Sequence, residues 1–168
     1  MKKTILFLIL ITSSLSYSQN NLNYGIKAGL SMIGFNQNFG NEPGINFGGI
    51  IEYKLNPRLD FQSELSYSKA GGYIQDKFIK LEYIQVPLIL KLNLTSVISF
   101  SGGIQAGYLI NDNISENFNL SGIAGVNFKI TKKIFSQLRY DFGLNNIGSE
   151  TKEIKNSGAG ISIGYFFN

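Results

Sequence analysis

The chain of 168 residues has no cysteine, no histidine, no tryptophan and only three prolines. Without cysteine there is no disulfide framework and no thiol chemistry. No cysteine follows the N-terminal apolar run to carry a lipid anchor. Without histidine there is no Ser-His-Asp triad, no Cys-His pair and no histidine-based metal site. No segment approaches the ~20 apolar residues that a helix needs to cross a bilayer. A dominant charge is missing too, because the fifteen basic residues face eleven acidic ones. That balance gives no reason to expect a nucleic-acid partner.

What is present begins with a processing signal. Lys2 and Lys3 precede the apolar run Ile5 to Ile11, and Ser16-Tyr17-Ser18 supplies a small-x-small cleavage pattern. Residues 1–18 are expected to be removed on export, leaving 19–168 as one domain.

Glycine is abundant, with nineteen copies, and the mature region alternates with period two. The C-terminal stretch shows it best. Ala159, Ile161, Ile163, Tyr165 and Phe167 take one parity, and Gly158, Gly160, Ser162, Gly164, Phe166 and Asn168 take the other. Bulky apolar residues on one face and small or polar ones on the other reverse the pattern of a soluble sheet. They match a strand with lipid outside and a crowded polar inside. Seven earlier segments repeat it: Tyr24 to Met32, Ile45 to Leu55, Leu59 to Ser68, Leu81 to Asn93, Ile98 to Ile110, Phe118 to Ile130 and Ile134 to Leu144. In the fourth, Pro87 cannot donate to a ladder, which predicts a bulge or irregular pairing.

Short connections (Asn56 to Arg58, Asn93 to Ser96, Thr131 to Lys133) alternate with longer polar ones (Phe35 to Gly44, Lys69 to Lys77, Asn111 to Asn117, Asn145 to Asn156). An up-and-down barrel collects these at opposite rims. The expected fold is therefore all-β: an eight-stranded antiparallel up-and-down transmembrane β-barrel. Lys or Arg on the lipid face costs about 2–4 kcal/mol at the midplane. Accordingly Lys27, Glu52, Lys54, Asp60, Glu64, Lys91, Lys129, Arg139 and Asp141 all take the inward parity. Outward parity holds only Lys69 and Glu82, at strand ends near the long loops. Tyrosines on the outward parity suit interfacial girdles. The alternation alone also permits a secreted soluble barrel like a lipocalin, with the bulky face turned inward around an apolar ligand.

Tyr24-Gly25-Ile26-Lys27-Ala28-Gly29, the stretch Leu81 to Lys91 with its Tyr-x-x-x-Pro-Leu-x-x-Lys spacing, Arg139 to Leu144 and Gly164-Tyr165-Phe166-Phe167 together resemble the PorT-like outer-membrane β-barrel family of Bacteroidota. The resemblance covers essentially the whole mature chain. It implies a barrel in the outer membrane of a Gram-negative bacterium, embedded in lipid and assembled by the barrel-assembly machinery through the C-terminal strand. One branch of that family is linked to secretion and gliding machinery. One departure is Asn168, which follows the final aromatic.

Known barrel proteases, phospholipases and acyltransferases depend on histidine, so a non-enzymatic role is expected, without cofactor or metal. The nine inward charges are expected to form a buried ion network that fills a lumen only wide enough for side chains. Acid–base or cation-binding work by Glu52, Asp60 and Glu64 is the functional alternative. Glycine pairs such as Gly102-Gly103 lack the following helix of a phosphate loop. Recognition of a protein partner falls to the long loops, where the apolar residues Phe35, Tyr73, Ile74, Ile114 and Ile147 either pack over the barrel mouth or dock a partner.

Overall fold

The computed structural model describes residues 21–35, 38–39, 42–74, 77–110, 118–144 and 156–168. These residues form β1 (Leu22–Phe35), β2 (Asn38–Phe39), β3 (Glu42–Asn56), β4 (Leu59–Ile74), β5 (Lys77–Asn93), β6 (Ile98–Leu109), β7 (Phe118–Lys129), β8 (Ile134–Gly143) and β9 (Asn156–Phe166). All pairings are antiparallel between sequential neighbours, and β9 returns to β1, which closes the ring. The two-residue β2 folds back on the end of β1 and adds no staff to the eight-stranded wall.

The stagger of the wall follows from its register. Crossing the ladders from Tyr24 reaches Ile51, Ser63, Leu88, Ile104, Gly122, Phe142 and Ser157, then re-enters β1 at Gly34, ten residues past the start. With ~3.3 Å per residue and ~4.8 Å between strands, that stagger tilts eight strands by about 40° and gives a backbone radius of about 8 Å. Such a ring leaves room for side chains and little else.

The turns at one rim have a local cause. Leu94-Thr95-Ser96-Val97-Ile98 and Ile130-Thr131-Lys132-Lys133-Ile134 share an apolar-Thr-x-x-Ile pattern. In each, the threonine hydroxyl accepts from the two amides ahead of it: Val97 and Ile98 at 3.2 and 2.9 Å, Lys133 and Ile134 at 3.2 and 2.9 Å. The side chain thus closes the turn that the backbone begins.

One expectation needs correction. The stretches expected as long loops from Phe35 and from Lys69 are partly strand. The β4–β5 pairing runs on to Ile74↔Lys77, because Tyr73, Ile74, Phe78 and Ile79 suit an extended hairpin and glycine does not forbid one. At Pro87 the expected irregular pairing is present, as an interruption and not a bulge. The β4–β5 ladder skips from Ser63↔Leu88 to Ser66↔Gln85 without a shift of register. The irregularity is two missing rungs, Glu64 opposite Pro87 and Leu65 opposite Val86, as expected where a donor is absent.

The polarity is inverted relative to a soluble protein. Leu65 and Ile163 are 62% and 61% exposed, while Glu52 and Gln62 are fully buried. A lipocalin-like barrel needs the opposite arrangement, so the wall rules that alternative out. Inside, a small apolar group of Ile50, Phe135 and Phe166 sits toward the short-turn rim, with the two rings stacked 5.0 Å apart. Phe135 fits because Gly164 lies opposite it on β9. A Cβ at Gly164 would land on the Phe135 ring. Gly164→Leu is therefore expected to destabilise the barrel by about 1–3 kcal/mol through overpacking. Urea unfolding in vesicles measures this, and adding Phe135→Ala should recover part of the loss. Equal stability of Gly164→Leu and the natural chain would count against this packing.

Candidate functional site

The alternation of β1, β4 and β8 sends Lys27, Glu64 and Arg139 into the lumen at mid-height. Glu64 is the hub. Its carboxylate accepts from Lys27 Nζ at 2.6 Å and from both Arg139 terminal nitrogens at 2.6 and 3.2 Å. Gln62 Nε2 also donates to it, at 2.5 Å. Gln137 Oε1 accepts from Arg139 at 3.0 Å and from Lys27 at 3.4 Å, and its amide donates to Asn127 Oδ1 at 2.7 Å. Asn127 in turn donates to the Ser99 carbonyl. The chain of contacts crosses the lumen from β4 to β8 and runs on through β7 to β6.

A second, separate pair lies nearer the short-turn rim. Lys91 Nζ meets Glu52 Oε2 at 2.6 Å, with side chains 2% and 0% exposed. Asn23 Nδ2 donates to the other Glu52 oxygen at 3.2 Å. The Lys91 ammonium also sits 5.5 Å above the Phe135 ring, which offsets part of its desolvation.

The remaining inward charges are not merged into one network. Asp60 is buried and accepts from Asn93 Nδ2 at 2.8 Å. Asp141 lines a small polar cavity with Arg139 and Ser31, and its Oδ1 has no hydrogen-bond partner among the described residues. Lys54 is exposed and Lys129 half-buried at the short-turn mouth, and among the described residues neither forms an ion pair. Lys54 stands directly opposite Asp60 in the β3–β4 ladder without such a contact. The three carboxylates Glu52, Asp60 and Glu64 are thus held apart, each by its own donors. Among the described residues no group of three or more possible metal ligands gathers.

The outward charges pair with each other. Lys69 and Glu82 are cross-strand neighbours at the far rim of the closed wall and form an ion pair of 2.9 Å. At the opposite rim Tyr24, Tyr165 and Phe167 form an aromatic cluster, with Tyr24 and Tyr165 each 5.8 Å from Phe167.

Of the apolar contact candidates, Phe35 falls in β1 and Tyr73 and Ile74 in β4 rather than in loops. Their side chains lie outside the described residues, as do Ile114 and Ile147 entirely. Sequence parity missed Phe135, Ile50 and Ile123 as lumen fillers. All three sit on the same parity as the charges, and the glycine opposite Phe135 was the available signal.

Residues 17–149 match the family model described as an outer membrane protein beta-barrel domain. The chain belongs to that family. Like other members of the outer-membrane barrel family, it is an integral β-barrel of the outer membrane, with lipid against its outer wall. Among solved structures, it is similar to Ail, the attachment invasion locus protein of Yersinia pestis. Identity is 15%, with 88% of this chain and 98% of Ail covered and a TM-score of 0.55. Ail in complex with the heparin analogue sucrose octasulfate matches with a TM-score of 0.56, at 14% identity over 88% of this chain and 98% of that one. Neisserial surface protein A shows 16% identity over 87% and 97% of the two chains, with a TM-score of 0.55. These likenesses speak to the fold. A comparison with curated proteins found no match.

Proposed function

We propose that this outer-membrane barrel is a non-enzymatic structural and interaction protein, whose longer connections at one rim form the contact face for a protein partner. The observation that carries this reading is the lumen. The inward charges Lys27, Glu64 and Arg139 satisfy one another across the full width of the barrel, and Lys91 pairs with Glu52 below them. Carboxylates committed to cations in this way serve as cross-braces and leave neither a proton shuttle nor a cation cage. A side chain that braces a wall is no longer available to a substrate.

The finer reading follows from the sequence resemblance to the PorT-like branch, with its link to secretion and gliding machinery. On it, residues 1–18 direct export, the C-terminal strand engages the barrel-assembly machinery, and the mature barrel is an accessory of a secretion or surface complex. Ail, a barrel of this fold, has been crystallised in complex with the heparin analogue sucrose octasulfate, which supports the general idea that a small barrel of this shape can take a ligand.

Photo-crosslinking in cells tests it. A crosslinker at Ile114 or Ile147 is expected to trap one discrete protein adduct, and one at Thr95 in a short turn is expected to trap none of the same size. A deletion strain is expected to lose secretion or gliding while retaining envelope integrity. Absence of adducts from both long-connection positions, with normal secretion and gliding in the deletion strain, would sink the proposal.

A further inference from the structure

The short-turn mouth carries a feature that the braced lumen does not use. A cavity of about 690 Å³ opens there, and Lys54, Lys129, Lys132 and Lys133 line it. The cations arrive from different parts of the wall. Lys54 lies two residues before the end of β3 and Lys129 ends β7, and these strands stand four apart in a ring of eight and so face each other across the mouth. Lys132 and Lys133 come from the β7–β8 turn. The single acidic side chain among the lining residues is Glu52, and it is fully buried and already bound to Lys91 and Asn23. Four lysines therefore border a cavity whose one acidic side chain is already paired. Lys133 donates to the Phe167 carbonyl at 3.1 Å and lies 6.0 Å from the Tyr165 ring centre, which pins it at the lip.

The cavity also has an apolar side. Ile130 and Ile134 belong to its lining, and Ile130 is exposed at the lip where the outer wall meets the lipid boundary. The ring pair Phe135 and Phe166 forms the floor. Lys54 and Lys129 at the mouth, Lys132 and Lys133 on the turn beside it and isoleucines on the membrane side fit a ligand with an anionic head and a hydrocarbon tail. A free anion has no use for the isoleucine face. Lysine binds phosphate as a point charge without demanding one orientation, and clustered basic residues beside a bilayer attract anionic lipid at about 1 kcal/mol each.

We propose that the short-turn mouth is a binding site for the phosphate head group of an anionic phospholipid, held by Lys54, Lys129, Lys132 and Lys133 with its chain against Ile130 and Ile134. In an outer-membrane barrel this rim faces the periplasmic leaflet. The site depends on the fold alone and does not require any partner at the opposite rim.

Native mass spectrometry of the full barrel tests the site. The barrel is released from micelles holding equal phosphatidylglycerol and phosphatidylcholine. The natural chain is expected to retain phosphatidylglycerol preferentially. Lys54→Gln, Lys129→Gln, Lys132→Gln and Lys133→Gln together are expected to cut that preference at least about tenfold, since each lysine contributes about a fivefold factor. Unchanged heat-modifiable gel mobility confirms that the variant is folded. Lys69→Gln at the opposite rim is expected to leave retention unaltered. Equal preference in the natural chain and the quadruple variant overturns the site. An equal loss in Lys69→Gln overturns it too, because the effect is then one of bulk charge. In a third arm, inorganic phosphate is added to barrel in pure phosphatidylcholine micelles. Lysine-dependent binding there without any lipid preference assigns the cavity to a soluble anion and overturns the lipid reading.

Discussion

Glu64→Ala is expected to cost the folded barrel about 3–5 kcal/mol, because it strips the shared counter-charge from two buried cations at once. Glu64 has no exposed side-chain surface, and Lys27 and Arg139 are 5% and 10% exposed. Among the described residues neither cation has another carboxylate in ion-pair contact. A domain's whole stability is typically ~5–15 kcal/mol, so the variant should refold poorly and unfold at much lower urea. Unfolding in lipid vesicles, followed by gel mobility, measures it. The Lys91–Glu52 pair supplies the contrast. Lys91→Met alone leaves Glu52 with only its Asn23 hydrogen bond. Lys91→Met with Glu52→Leu removes both charges and should cost less than the single change. A Glu64→Ala barrel within ~1 kcal/mol of the natural one would show that these ion pairs do not brace the lumen.

The second large effect lies on the opposite face. Leu88 points outward near the middle of β5 and is 42% exposed to the surroundings of the wall. Leu88→Arg is expected to reduce the stability of the inserted barrel by about 2–4 kcal/mol, and Leu92→Arg, closer to the short-turn rim, by about 0–1 kcal/mol. The difference is depth: a guanidinium near the rim reaches water and head groups, whereas one at the midplane does not. Folding yield in vesicles measures both. Equal tolerance of arginine at the two positions would mean that this face does not meet hydrocarbon.

These two effects separate what could be read along the chain from what could not. Inward and outward sets were legible because a pleated strand turns successive side chains to opposite faces whatever else the fold does. Leu88 and Glu64 could each be assigned a face from their immediate neighbours. The long connections were less legible. Glycines in Lys69 to Lys77 look like a loop, yet β4 and β5 pair through to Ile74↔Lys77. Extended backbone there depends on a partner strand, which no single segment reveals.

Partnership inside the lumen was the least legible. Lys54 and Asp60 are neighbours in the ladder but form no ion pair. Glu64 instead meets Arg139, seventy-five residues away. The nine inward charges looked like one network, and the structure divides them into a mid-height cluster, a lower pair, two separately placed acids and two mouth lysines.

By itself, then, the sequence determined the face of nearly every strand residue and the alternation of short and long connections, since both follow from local backbone geometry. Only the tertiary structure decided which charges meet. That depends on the ten-residue stagger with which β9 closes on β1, a property of the ring as a whole. The same closure sets Phe135 against Gly164 and brings Lys54 and Lys129 to face each other across one mouth.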